Sequence, residues 1–469
     1  MGNLITLFHI TEQALAADQA GLNVTANNVA NQNTPGYARE TVSFSARDLV
    51  TLSGTVSIDG GVDTSAPISQ RDRVLEQRVE QQTQAQSQSA TVQTALSQIE
   101  NVFGLTASST SSSITSLGTA VNNFFGSLTS LASDPSQSAT RQQVLSTANS
   151  LVGVLNSSAG QLTQITSSLN SSAQSIVGNA NALIKTIASL NNQIAIQSPN
   201  TDAGTLEDQR QQAIASLSQY VGLDQITTAQ NGIELTTSNG GLLVAGANGY
   251  PLSTSNLTGG IQVYAGPNNA NVTSGLTGGS LGGTLSVLTN SIPTIQSNLD
   301  QLAYSVATAV NTQNEASVDA NGNPGQALFT IGATAPGSAT SIAVATTDPN
   351  LIAAAAAGEG SSGNTNATAL ANLGIAAIVS GQTASEYLGS ALAQVGSAAS
   401  AANSDASVQQ ATLTQLTTQR NALSGVNLDE EAANLTQYQR SYQAASQVFA
   451  IINSLLASVI NIGVETAVS

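Results

Sequence analysis

Residues 428–459, LDEEAANLTQYQRSYQAASQVFAIINSLLASV, carry an apolar repeat. Leu428, Leu435, Tyr442, Phe449 and Leu456 recur every seven residues, and Tyr438, Ala445, Ile452 and Val459 lie three places after four of them. A heptad stripe sustained in this way belongs to a helix that buries one seam against other helices. No Pro or Gly interrupts it before Gly463. At about 1.5 Å per residue the helix runs ~50 Å. The N-terminus offers a shorter counterpart, in which Phe8, Leu15, Leu22 and Val29 are also seven apart. Two amphipathic terminal helices with everything else between them predict a protein whose ends make its assembly contacts.

Composition narrows what such a chain can do. Its 469 residues exceed one typical core, so two to four domains are expected. Charged residues are 8% and aromatics 3%, with no Trp or Cys. Packing must therefore run through long, thin contacts between small side chains. A net charge of −17 argues against nucleic acid or an anionic membrane as partner. Without cysteine there are no disulfides or thiolate metal sites, which suits life outside the cell. The first basic residue is Arg39, so no charged segment precedes an apolar core as in a secretory signal. No apolar run approaches ~18 residues, so no membrane span is expected.

Along the chain, residues 3–31 read as a helix stopped by Asn33, Thr34, Pro35 and Gly36. Loose alternation over 41–69 predicts short strands or an extended linker. The longest helical signal spans residues 144–194, where Leu151, Leu155, Leu162, Ile165, Leu169 and Ile176 hold one phase. Short runs at 232–235, 241–244 and 261–264 are bounded by Asn, Gly or Pro and read as strands. Helix returns near Leu285, with Pro293 expected in a first turn, and again over 384–424. The fold class is therefore mainly α with inserted β domains, an α+β multidomain chain built on a long helical-bundle rod. The expected division is 1–69 with 425–469 as terminal helices (41–69 being the linker), 70–204, 285–324 and 384–424 as rod, 205–284 as a β domain, and 325–383 as a second β-like and loop segment.

A search for chemistry finds little. His9, the only histidine, sits among Leu7, Phe8 and Ile10 and has no second His to share a metal. Asp429, Glu430 and Glu431 open the C-terminal helix, where acids complement the helix dipole. Asp319 to Gly325 imitates the start of a calcium loop but has Pro324 at the sixth position and no Glu at the twelfth, so a turn is expected. Neither a phosphate loop nor a nucleophile elbow is present. No catalytic residue, cofactor or metal is predicted.

The run Asn27, Asn28, Asn31, Asn33, Thr34, Pro35, Gly36, Tyr37 and Arg39 resembles the N-terminal signature of the axial proteins of the bacterial flagellum (rod, hook and hook-associated proteins). Gly425 to Leu435, followed by Tyr438, Gln439 and Tyr442, is similar to the matching C-terminal signature. Gly282 to Leu285, Ile292, Pro293, Leu299 to Ala303, Val310, Asn311 and Asp319 to Gly325 resemble the middle of the first hook-associated proteins, the FlgK family. Gln313 and Asn314 depart from it, standing where a His is expected. The resemblance implies a structural, non-enzymatic protein at the hook–filament junction, exported without a cleaved signal through the flagellar type III channel. It implies terminal helices paired as a coiled coil in an inner tube, with the β domains facing solvent. The implied partners are further copies in a ring of about eleven, the hook protein, the second hook-associated junction protein, and an export chaperone of the FlgN kind on the C-terminal helix. The terminal helices, thin in apolar area and poor in charge, are expected to be disordered alone and to fold on docking. Another axial protein (hook or distal rod) is the alternative within the class. A secreted adhesin or surface enzyme is the alternative outside it.

Overall fold

The computed structural model describes residues 2–465 apart from 35, 49, 54–55, 59, 106–115, 198–202, 230 and 258–259, so Pro35 of the signature lies outside the described residues. Helix α1 (Gly2–Asn31) is followed by six short strands, β1 (Glu40–Thr41), β2 (Phe44–Ala46), β3 (Val50–Ser53), β4 (Val56–Ile58), β5 (Val62–Thr64) and β6 (Ile68–Ser69). They pair in nested antiparallel order, β1 with β6, β2 with β5 and β3 with β4. Thr41 stands opposite Ile68 and Ala46 opposite Val62, so the expected linker is one long ribbon.

Asp72 then caps α2 (Arg73–Val102), accepting from the amides of Val74 and Leu75, which satisfies donors that the first turn leaves open. Next come α3 (Leu117–Ser133) and α4 (Ser138–Gln197), whose 60 residues follow the long apolar phase expected from the sequence. It spans about 90 Å. After α5 (Thr205–Tyr220) come β7 (Leu223–Thr227), β8 (Ile233–Thr237), β9 (Leu242–Ala245) and β10 (Asn248–Gly249), in the antiparallel order β10-β9-β8-β7. A second antiparallel sheet joins β11 (Ser253–Leu257), β12 (Gly260–Ala265) and β13 (Ala270–Asn271). On β8 and β12 alternate residues point inward, Ile233 and Leu235 on one, Ile261 and Val263 on the other, as strands with one buried face require.

Helix α6 (Gly279–Ser286) runs through a single π-helical turn, Val287–Ser291, into α7 (Ile292–Glu315). Pro293 does fall in the first turn of α7, but that turn continues an existing helix. The widened turn before it accommodates the ring and the missing N–H. A small patch follows, with β14 (Phe329–Thr330), α8 (Ser338–Ser341), β15 (Ala343–Val344) and α9 (Thr365–Asn372), where β14 pairs with β15. The chain returns on α10 (Ala384–Ser424), opened by a capping box between Thr383 and Glu386, and ends on α11 (Leu428–Glu465).

Two hydrophobic cores share α4. Its first half joins α3, α7, α9 and the start of α10 around Phe124, Leu128, Leu151 and Phe329. Phe124 meets Phe329 edge to face with centroids 5.6 Å apart. The second half, from Ala173 to Ile194, joins α5, α6 and the inward faces of the β strands. Burying each such Leu or Phe contributes about 1.5–3 kcal/mol.

The region Ala384–Ile460 contains a stretch apolar and long enough to cross a membrane by length and composition, almost none of it buried within the chain. The expectation that no such run exists is thereby corrected. Small polar residues (Ser, Asn, Gln) interrupt the apolar ones without lowering the average far. The region is also two helices, since Gly425, Val426 and Asn427 separate α10 from α11.

Candidate functional site: the joint where the two ends meet

Helices α1 and α11 pack antiparallel. Phe8 meets Phe449 with ring centroids 4.7 Å apart. Gly21 lies under the Tyr438 ring, where a Cβ would come within 2.8 Å of the ring carbons. Asn28 meets Glu431 at the far end. Along α11 the heptad residues Leu435, Tyr438, Phe449 and Leu456 are half-buried and Ile452 is buried. Of the α1 row, Phe8 is half-buried and meets Phe449. Leu15 and Leu22 are half-buried and Val29 is exposed. The buried positions of α1 are Thr11, Ala17, Gly21, Val24, Thr25 and Asn28. Gly21 lets the bulky face of α11 approach closely, in addition to the contact that Phe8 makes with Phe449. Leu428 and Tyr442, in phase with the seam, are exposed, and exposed Val448, Ile451, Leu455 and Val459 leave α11 a second, uncovered apolar face.

At the base of this pair the signature residues form a polar knot. Asn28 is almost wholly buried, and its Nδ2 donates to the carbonyl of Glu40 at 2.9 Å and to Glu431 Oε2 at 3.3 Å. Its Oδ1 accepts from the Tyr37 hydroxyl at 2.8 Å and from the Glu40 amide at 2.9 Å. Every hydrogen-bonding position of the side chain is filled, as burial of an amide demands. Arg39 spans the two carboxylates of α11, with Nε 2.7 Å from Glu431 Oε1 and Nη2 2.9 Å from Glu430 Oε1. The backbone of Arg39 is held too, its amide donating to the Ser424 carbonyl and its carbonyl accepting from Gln70.

The rest of the signature shapes the turn that makes this possible. Asn31 donates to the carbonyl of Asn27 at 3.0 Å and to its Oδ1 at 2.8 Å, and it accepts from the Thr34 hydroxyl at 3.2 Å. Gly36 adopts φ +81°, a left-handed conformation open to glycine without strain. Asn33 and Thr34 are exposed.

The electrostatics fit a closed joint. Burial, then the carboxylates of Glu40, Asp208 and Glu431, raise the Tyr37 hydroxyl well above its usual range, so it stays a neutral donor. Burial works to lower Arg39, but its bonds and ion pairs with Glu430 and Glu431 outweigh that and its pKa stands above the ordinary value. The helix dipole alone does not account for Glu430 and Glu431, which also hold Arg39 of the N-terminal signature. The usable signal was an Arg shortly after a buried-type Asn at one end and paired acids at the other.

Among the described residues no group of three or more His, Cys, Asp and Glu side chains could hold a metal. His9 is exposed, 3.4 Å from Glu12 and edge-on to Phe8. Asp319 makes a turn, its Oδ1 accepting from the amides of Asn321 and Asn323 at 2.8 Å.

A long helical chain with antiparallel terminal helices knotted at their base is the arrangement of a flagellar axial protein. Residues 9–37 match the model for flagella basal body rod proteins, and residues 419–462 that for the flagellar basal body rod FlgEFG protein C-terminal region. Residues 96–329 match that for the helical domain of the flagellar hook-associated protein FlgK. The chain belongs to the flagellar hook-associated protein 1 (FlgK) family, whose members are structural and non-enzymatic. Relatives include flagellar hook-associated protein 1 of Escherichia coli, 26% identical with 97% of this chain and 100% of the relative covered. That of Bacillus subtilis is 29% identical, with 96% of each covered. The flagellar hook junction protein FlgK of Burkholderia pseudomallei superposes with a TM-score of 0.68 at 19% identity, covering 74% of this chain and all of the other.

Proposed function

We infer that this chain is a structural subunit of the bacterial flagellum at the hook–filament junction, outside the cell. The observation that carries the reading is the knot: residues that identify the family at the two ends are bonded to each other across Asn28, Arg39, Glu430 and Glu431. The molecule works by holding its ends together and presenting them to neighbours. Residues 1–69 with 425–469 form the inner-tube unit. Residues 70–204, 285–324 and 384–424 form the rod around it, and 205–284 and 325–383 the outward parts.

The uncovered face of α11 (Val448, Ile451, Leu455, Val459) is the contact to further copies in a ring of about eleven subunits. An exposed apolar stripe of this length needs a partner. The polar residues interleaved with it suit helices better than lipid. The hook protein lies below the ring and the second hook-associated junction protein above it. A chaperone of the FlgN kind covers the same stripe before export. Unpartnered, the terminal pair is marginal away from the knot, and those outer turns order fully on docking.

Immunogold labelling tests the reading, with label expected at the hook–filament boundary. A deletion strain should keep its hooks and shed flagellin monomers. Normal filaments in the deletion strain, or label spread over the cell surface, would sink it.

A further inference from the structure

Arg71 stands where three parts of the chain meet. It precedes α2, and its side chain is 6% exposed. Its Nη2 donates to the Gly36 carbonyl at 3.1 Å and to Asp208 Oδ1 on α5. Its Nη1 lies 3.7 Å from Glu76 Oε1 on α2. The loop that follows α1 is thus bound to α5, and it is also packed there, since a Cβ on Gly36 would come 3.4 Å from Gln212 Cβ. Two more polar pairs join α2 to α5, Arg73 to Glu207 at 3.5 Å and Gln211 donating to Glu80. Beyond them α5 enters the second core through Ile214 and Leu217 and leads into the β strands.

Stability alone is a poor account of this guanidinium. Its Nε and Nη1 are buried without a hydrogen bond, and a partly satisfied buried charge costs about as much as its pairing returns. Apolar packing would hold α2 to α5 at least as firmly. What apolar packing lacks is direction. A planar fork bonded to a backbone carbonyl and a carboxylate on separate elements fixes their mutual orientation.

We propose that Arg71 is a positioning residue that ties the signature loop to α5 and thereby sets the angle between the terminal helix pair and the β-bearing unit. The tie is internal to one chain and stands whether or not the ring proposed above forms.

Because the sequence contains no cysteine, two engineered ones label the full-length chain uniquely. Exposed Gln437 on α11 and exposed Asn268 between β12 and β13 serve, as Gln437→Cys and Asn268→Cys with spin labels. In that background Arg71→Gln and Asp208→Asn should each broaden and shift the distance distribution, while the melting of the two cores stays close to the parent. Arg71→Lys, which keeps the charge and loses the fork, should fall between. A distribution as narrow as the parent's in Asp208→Asn overturns the proposal, even if melting falls, because the pair then contributes stability only. Should Arg71→Gln fail to fold, the near-isosteric Asp208→Asn decides alone.

Discussion

Asn28→Asp replaces one nitrogen by one oxygen and leaves packing in the knot unchanged. The two donations from Nδ2, to the Glu40 carbonyl and to Glu431, become oxygen facing oxygen. A second carboxylate then sits beside a nearly buried one, with Arg39 the only cation bonded to it among the described residues. Losing two hydrogen bonds at ~1 kcal/mol each, and adding a poorly compensated charge, comes to about 3 kcal/mol. That is about a hundredfold more frequent opening of the α1–α11 pair. Hydrogen exchange of peptides from α1 and α11 reads it directly, compared with the parent at each pH. The sign of the pH effect follows from the new carboxyl. Crowding by Glu431 raises its folded pKa above the unfolded value of about 3.9, so the folded state holds the proton more tightly and the deficit shrinks as pH falls from 7 toward about 4. Asn28→Ala, which adds no charge, should open the pair by a deficit that does not vary in this way. If Asp and Ala substitutions behave alike at every pH, or if neither changes exchange, Asn28 does not hold the ends together.

Glu80 on α2 is almost wholly buried, and burial first, then Glu76, pushes its carboxyl up to about 8. A raised carboxyl costs the folded state progressively as pH rises from its ordinary value of about 4.5 to about 8. Glu80→Gln should therefore melt higher than the parent at pH 8, with the difference vanishing near pH 4.5. Phe124→Ala removes a fully buried ring that meets both Phe125 and Phe329. It should destabilise the first core by about 3–5 kcal/mol in denaturant unfolding. Ile451→Ser with Leu455→Ser, both on the uncovered face of α11, should leave the melting of the monomer's cores unchanged and abolish motility. Normal swimming would remove that face from the assembly contacts.

How much of this was legible in the sequence depended on which interactions carry a period. The long helices were legible, because burial on one face repeats at 3–4 residues wherever large apolar side chains do it. The parts of the α1 contact made by Ala17, Gly21 and Asn28 were hidden because they contribute closeness and hydrogen bonds instead of bulk. The knot itself has no period. Asn28 and Glu431 are 403 residues apart, and only the fold brings them together. The short strands of the ribbon were readable as extended chain, but their nested pairing was not, since pairing depends on where the ribbon turns back.

The end of α1 and the start of α11 are fastened to each other at one point, so everything between them is a closed loop thrown out from a fixed base. Lengthening or shortening that loop leaves the anchorage where it was, and the entropy of closing it grows only slowly with its length. Whole modules can therefore be grafted or lost at the surface turns of the β strands while the foundation stays the same size.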